Sequence, residues 1–304
     1  MSEGVQYAGE FKLEDMILTS PSGVKTDLLT DFGLVELNLY EDIFRSSISG
    51  SLMVADYKNV FTKLPLMGQE KLSLKVSTPS LEEKEDIIDF TEHHFSVYRL
   101  NNNLEVSSGA RMYEIYFISE EELKNTRKRV SKSYVNTKAN IGEIVTDLLT
   151  QDLMGVQTNK EIDVESTVGS RSLVAGNSHP YTFITRLSKE AVSAETGSPH
   201  YVFFENKNGI HFKTLQKLYE KEPRAEFHGG ERGHDEEYEG NGDAGKIPQM
   251  YKRMIQYNIN TKKDLLINSS AGMLGGKVIE HNIFNKRFNV KTFNYLGEED
   301  YHCQ

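Results

Sequence analysis

The sequence predicts an α+β protein. An antiparallel β-barrel is expected over residues 1–118, a helical insertion with a β-hairpin over 119–220, and a Gly- and charge-rich loop with a C-terminal β-rich segment over 221–304. Three observations carry this division. Apolar and polar residues alternate with period two between Leu34 and Asp56, on both sides of a short turn. From Ile141 to Leu149 the apolar spacing changes to i, i+3, i+4, i+7, i+8, the period of a helix with one buried face. After Glu222 periodicity gives way to glycine and charge, as expected for an exposed loop.

The β elements follow in order. Phe11, Leu13 and Met16 to Leu18 predict an opening strand, closed by a Pro21-Ser22-Gly23 turn. Val35, Leu37 and Leu39 alternate with Glu36, Asn38 and Tyr40, and Ile48, Gly50, Leu52 and Val54 alternate with Ser47, Ser49 and Ser51. Such a pair is a half-buried antiparallel hairpin, which puts Val35, Leu37, Leu39, Leu52 and Val54 on the packed face. Leu72, Leu74 and Val76 mark a strand ending at Pro79, and the acidic run Leu81 to Asp89 a loop tip or frayed strand. His94–Leu100 and Met112–Ile118 predict a further hairpin joined through Asn101-Asn102-Asn103 and Gly109.

The helical part begins at Ser119, whose spacing to Glu122 is that of a capping box. Acidic residues precede Lys124, Arg127, Lys128 and Arg129, an order that suits the helix dipole. Asn140 and Glu143 cap the helix at Ile141. A polar loop over Gly155–Ser178 leads to a helix with Pro180 in its first turn and Phe183, Ile184, Leu187 and Ala191 on one face. Tyr201–Phe204 and Ile210–Thr214 form a hairpin through Asn206-Lys207-Asn208-Gly209. Met254–Asn260 and Leu265–Asn268 are expected as strand or short helix, Lys277–Ile279 and Phe288–Phe293 as strands.

Composition excludes several chemistries. The net charge of −10 disfavours nucleic-acid affinity, which Lys and Arg supply. It serves solubility, or a wall past which phosphates move. No run approaches the ~20 apolar residues of a membrane-spanning helix. The N-terminus has neither the basic nor the apolar part of a secretory signal. The lone Cys303 allows no internal disulfide, so folding in a reducing cytoplasm is expected. His228, His234, Asp235, Glu236 and Glu237 carry metal-ligand chemistry, but their spacing fits no zinc helix or EF-hand, and a solvated loop without metal is expected. His93 and His94 beside Glu92 are expected as structural strand residues. There is no nucleophile elbow, P-loop or dinucleotide fingerprint, so neither catalysis nor a cofactor is expected.

The order of residues from VELNLYEDIFRSSISGSLMVADYKNV onward resembles the baseplate hub proteins of T-even-like contractile-tailed phages. The likeness continues through His94-Phe95-Ser96-Val97, the helices after Ser119 and at Ile141–Leu149, and the segments His179–Leu187, Tyr201–Phe204 and Gly209–Phe212. Gly272–Lys277 is its best part beyond residue 250. Hubs of this kind belong with tail-tube proteins and the hub portion of type VI secretion spikes. The resemblance implies a tube-type barrel, a homotrimeric ring between tail tube and central spike, and a virion tail location after assembly in the host cytoplasm. The hub portion of a type VI or pyocin-like spike is the alternative. Implied partners are a second copy of the chain, the spike protein, a tube or tube-initiator protein and baseplate wedge proteins. T-even-like hubs carry two tandem barrels, and Gln304 falls about where the second would begin. Candidate interface residues are Lys124, Arg127, Lys128 and Arg129 in the basic run, with Tyr40 and Leu52 on the barrel hairpin; a solvated helix face is the competing reading of the basic run.

Overall fold

The computed structural model describes residues 11–58, 61, 67–78, 87–107, 110–135, 139–223, 226–229, 253–254, 256–259, 264–272 and 275–294. They divide into two compact units. Described residues up to Glu226 form the first, and Phe227–Gly229 with those from Arg253 onward form the second.

The first unit opens with β1 (Lys12–Thr19), β2 (Lys25–Asp27), the one-turn α1 (Leu28–Asp31), β3 (Gly33–Tyr40), β4 (Ser49–Asp56), β5 (Lys71–Ser77), β6 (Ile88–Ser107) and β7 (Ala110–Ser119). These seven strands make one antiparallel sheet in the order β2-β1-β5-β6-β7-β4-β3, curled as a half-barrel. The tube-type barrel expected from the sequence is this curled sheet, with β2 and β3 as its end strands among the described residues. The concave face holds the first core, with Met16, Ile48, Leu52, Val54, Leu72 and Ile115 at 0% exposure. Ring contacts tie its wall together: Phe32 to Phe61 at 4.6 Å, Phe90 to Phe95 at 4.6 Å, and Phe95 to Phe117 at 5.0 Å. Gly50 is where β4 passes beneath Phe117. A Cβ there would lie 2.3 Å from Phe117 Cζ and 2.4 Å from the Asn38 carbonyl oxygen, so no larger residue fits.

Strict alternation fails at Val35. Leu34 pairs with Val54 and Glu36 with Met53, leaving Val35 as the extra residue of a β-bulge. A one-residue shift exchanges faces, so Leu34 joins Leu37 and Leu39 against the core while Val35 is 54% exposed. β6 corrects a second expectation. It runs unbroken through Asn101–Asn103, absorbing them in a register shift between Asn101 and Leu104 rather than turning there.

The rest of this unit surrounds a second core. Its elements are α2 (Glu120–Arg127), β8 (Val130–Ser133), α3 (Ile141–Thr150), β9 (Ile162–Val164), β10 (Val174–Ser178), α4 (Pro180–Ser188), β11 (Tyr201–Asn206), β12 (Gly209–Thr214) and α5 (Leu215–Tyr219). β8 pairs with β10, and β11, β12 and β9 form a three-stranded sheet in that order. The segment expected as one polar loop, Gly155–Ser178, therefore supplies two strands; they are only three and five residues long, and the strands they pair with settle them as β. Asn140 and Glu143 form the expected capping box on α3, whose Ile141, Ile144, Val145, Leu148 and Leu149 are buried. In the β11–β12 turn Gly209 alone has positive φ, +147°, and a Cβ on it would meet the Glu161 carbonyl at 2.3 Å. Asn208 beside it keeps a negative φ.

In the second unit β13 (His228–Gly229) pairs in parallel with β14 (Arg253–Met254). α6 (Leu265–Ser270) precedes the hairpin of β15 (Gly275–Asn282) and β16 (Arg287–Asn294). Met254 is thus the end of a two-residue strand, and Gln256–Ile259 form no element.

The bulge separates two neighbouring apolar positions by energy. Leu52→Ala is expected to lower unfolding free energy by about 2–5 kcal/mol, the range for emptying a buried leucine site. Val35→Thr is expected to change it by less than about 0.5 kcal/mol, as at ordinary surface positions. Urea denaturation followed by circular dichroism measures both; equal losses would contradict the register.

Candidate assembly surfaces and the buried charge cluster

The convex face of the half-barrel is polar and cross-braced. Asn38, Ser51 and Tyr116 lie in register across β3, β4 and β7. Asn38 Nδ2 donates to Glu36 Oε1 at 2.7 Å and to Ser51 Oγ at 3.3 Å. Tyr116 donates to Glu114 Oε1 at 2.8 Å, Asn101 Nδ2 to Glu114 Oε2 at 3.3 Å, and the Arg99 guanidinium lies 5.3 Å from the Tyr116 ring centre. The side chains are held by one another, giving a firm hydrophilic wall. At its β3 edge Val35 and Tyr40 are more than half exposed. Tyr40 is thus available to a partner, whereas Leu52, at 0% exposure, is a core residue that nothing touches without opening the sheet.

The basic run is largely engaged with its own fold. Lys124 Nζ donates to the Gln157 carbonyl at 3.4 Å and lies 3.8 Å from Glu120 Oε1. Lys128 Nζ donates to the Asp152 carbonyl, and Arg129 to the Asn177 carbonyl at 3.0 Å. Lys132 pairs with Asp147 Oδ2 at 2.7 Å, and Tyr134 donates to the same oxygen at 2.7 Å. Arg127 is exposed at the end of α2. The helix α2 itself comes from Ser119–Glu122 as expected, but Ser119 makes no side-chain cap. Its hydroxyl is directed elsewhere.

That destination is a buried charge cluster which sequence spacing did not reveal. Lys160 Nζ sits between Glu121, at 2.7 Å, and Glu205, with Ser119 Oγ 2.9 Å away; the three charged side chains are 0–5% exposed. Ser119 Oγ is 2.7 Å from Glu121 Oε2 and 2.9 Å from Glu205 Oε1, so its single proton serves one of them at a time. Thr158 donates to Glu121 Oε1 at 3.1 Å, and the Ile48 main-chain N–H to Glu205 Oε2 at 3.3 Å. Burial works against every charge here. For Lys160 the facing carboxylates outweigh it and hold the ammonium charged. For Glu121 the Lys160 charge and the hydrogen bonds outweigh it, and the pKa falls below the usual value. One lysine does not neutralise two carboxylates, and for Glu205 burial prevails, so its pKa is raised. Tyr181, also raised by burial and by these carboxylates, keeps its hydroxyl inside without a hydrogen-bond partner among the described residues.

Other candidate chemistry is dispersed. His228 is placed only by its main chain in β13; His234, Asp235, Glu236 and Glu237 lie outside the described residues, as does Cys303. Among the described residues no group of three or more His, Cys, Asp or Glu side chains could hold a metal ion. None of their helices is long and apolar enough to cross a membrane. His94 is half-buried beside Ser73, with Nδ1 to Oγ at 3.1 Å, and burial lowers its pKa. An unpredicted pair joins His211 Nδ1 to Asp163 Oδ2 at 3.3 Å, while His211 Nε2 meets Asn206 Oδ1 at 2.8 Å. Lys213 also binds Asp163. These contacts brace the β12–β9 pairing and the β11–β12 turn.

No protein-family model and no curated protein matches the chain. Among solved structures it is similar to the E. coli c3393 protein, described as a type VI secretion component with structural similarity to the T4 bacteriophage tail proteins gp27 and gp5. That match has 14% identity, TM-score 0.43, and covers 70% of this chain and 51% of the other. A tail protein from Neisseria meningitidis MC58 matches at 6% identity and TM-score 0.44, over 73% and 56%. The 43 kDa tail protein of prophage MuSo2 from Shewanella oneidensis matches at 9% and 0.41, over 66% and 54%. The neighbours are tail proteins and secretion-spike components. This chain spans about half the length of each of these three.

The charge cluster makes a specific demand on stability. Lys160→Met leaves two buried carboxylates without a countercharge and is expected to cost about 3–5 kcal/mol. Changing Lys160, Glu121 and Glu205 together to Met, Gln and Gln is expected to recover most of that loss. The pH response has two arms. Glu121 is lowered, so its contribution is present above the usual carboxylate pKa and lost as pH falls through its folded pKa. Glu205 is raised, so its contribution is present at acid pH and lost as pH rises through its folded pKa. Glu205→Gln is therefore expected to flatten the decline on the neutral side and leave the acid arm, measured by urea unfolding across pH.

Proposed function

We propose that this chain is a structural, non-enzymatic component of the hub of a phage-type contractile tail. Three copies form a ring that joins the tail tube to the central spike. The observation carrying this reading is the curled seven-stranded sheet that ends in two edges, β2 and β3, with one face packed and the other a braced hydrophilic wall. A ring of identical subunits needs an unpaired edge or flank on each copy to meet its neighbour. A hydrophilic wall bearing Glu36 and Glu114, on a chain of net charge −10, suits a channel that DNA crosses without binding. The hub-like order of residues from Leu34 to Ser77 supports the same reading. Partners in this reading are the spike protein, the tube or tube-initiator protein and baseplate wedge proteins, in the virion tail.

The ring is tested by native mass measurement at micromolar concentration, with and without the spike protein. Trimers are expected with the spike present. Val35→Lys with Tyr40→Lys, at exposed edge positions, is expected to give folded monomers with an unchanged melting temperature. Monomers alone for the unmodified protein with its spike would refute the ring.

A further inference from the structure

A cleft of about 510 Å³ opens between the end of the half-barrel and the second core, within the first unit. Ser47 and Ser49 line one side, Thr185 of α4 another, and Tyr201–Phe203 of β11 the third; Glu122 forms part of the wall. β11 is the end strand of its sheet. The Tyr201 and Phe203 rings are spent in the core, stacked on Phe212 at 4.7 Å and set edge-on to Tyr181 at 4.9 Å. Those side chains stand off the sheet plane, so what β11 presents along its outer edge is main chain. The hairpin closes through a two-residue turn with Asn206 paired to Gly209. Alternation of an antiparallel ladder from that closing pair makes Asn206, Phe204 and Val202 the residues bonded to β12. The N–H and C=O of Phe203 therefore point away from β12, on the side of the cleft. Further along, the Ile48 N–H bonds the Glu205 side chain, which ties the half-barrel to this strand.

We infer that this cleft is a docking site for a short extended segment of a partner protein, which pairs with the main chain of Phe203 and sets a basic side chain against Glu122. Strand addition to a free edge takes its affinity from main-chain hydrogen bonds and its specificity from the pockets beside them. The hydroxyls of Ser47, Ser49 and Thr185 stand beside the apolar Ile43, Phe44 and Ile118; Arg45 also lines the cleft but is paired with Asp42 at 3.8 Å, and the cleft volume falls within the usual range for bound ligands. Glu122 accepts from Ser47 Oγ at 2.8 Å and Asn125 Nδ2 at 3.1 Å, which orients its carboxylate beside the cleft. This role is separate from the ring: it uses β11 and α4, and neither sheet edge of the half-barrel.

The test selects binders from a displayed library of random short peptides on the full chain, then titrates the enriched peptides in synthetic, fluorescently labelled form. Enrichment of extended, Lys- or Arg-bearing sequences is expected, with the Phe203 amide gaining protection from hydrogen exchange when they bind. Thr185→Trp, at an exposed position of α4, fills the cleft and is expected to weaken binding at least roughly tenfold with the melting temperature unchanged. Glu122→Gln is expected to remove the preference for the basic residue. No enrichment, equal binding to the Thr185→Trp protein, or an unprotected Phe203 amide would overturn the proposal. So would self-association abolished by Thr185→Trp, which would identify the occupant as a second copy of this chain.

Discussion

One lysine held between two buried carboxylates sets the relation of the two cores in the first unit. Lys160 and Glu205 come from the second core's loop and sheet, Ser119 ends β7, Glu121 lies in the first turn of α2, and Ile48 stands at the entry to β4. Each group is costly to bury alone, and each finds partners only when the half-barrel and the helical part meet in one way. An apolar contact of the same area would tolerate sliding, because the hydrophobic effect is not directional. Ser119 shows the hierarchy of demands. Its place at the head of α2 suits a cap, yet its hydroxyl serves buried carboxylates, where an unmet hydrogen bond costs more than a frayed helix turn.

With that joint in place, the half-barrel has a closed side and an open one. The second core lies at the β4 and β7 end of the sheet, where Ser119 and Ile48 connect to Glu205. The face opposite the first core is braced through Glu36, Asn38, Ser51, Glu114 and Tyr116. Such bracing removes side-chain freedom from a surface that has no packing to do so. A polar wall beside two end strands is the feature on which the proposed ring rests.

The strand edges also explain why the cleft at β11 is distinct from ordinary surface. Edge strands are usually blunted by charge, proline or a covering segment. At β11, Tyr201–Phe203 border the cleft instead. The β15–β16 hairpin of the second unit has a different character, with Ile279 and Phe288 exposed on its strands and Ile283 and Phe284 in its turn. Two strands alone are marginal in water.

The sequence by itself determined the elements whose neighbours are near in the chain: the β3–β4 hairpin, the capped helix at Ile141, the Pro180 helix, and the turn before Gly209. Period, caps and turn residues are local physics, and they survive folding because nothing distant opposes them. Tertiary structure alone decided which face Val35 takes, since a bulge is a matter of pairing between strands and leaves no mark on alternation. It alone made strands of Ile162–Val164 and Val174–Ser178, which acquire β structure from the partner they pair with. The curl that leaves β2 and β3 as edges, and the union of Ser119, Glu121, Lys160 and Glu205, were likewise beyond local reading. Lys160 and Glu205, 41 and 86 positions beyond Ser119, share one buried site with it only after two cores close around them, and no spacing rule records which distant charge a buried lysine will meet.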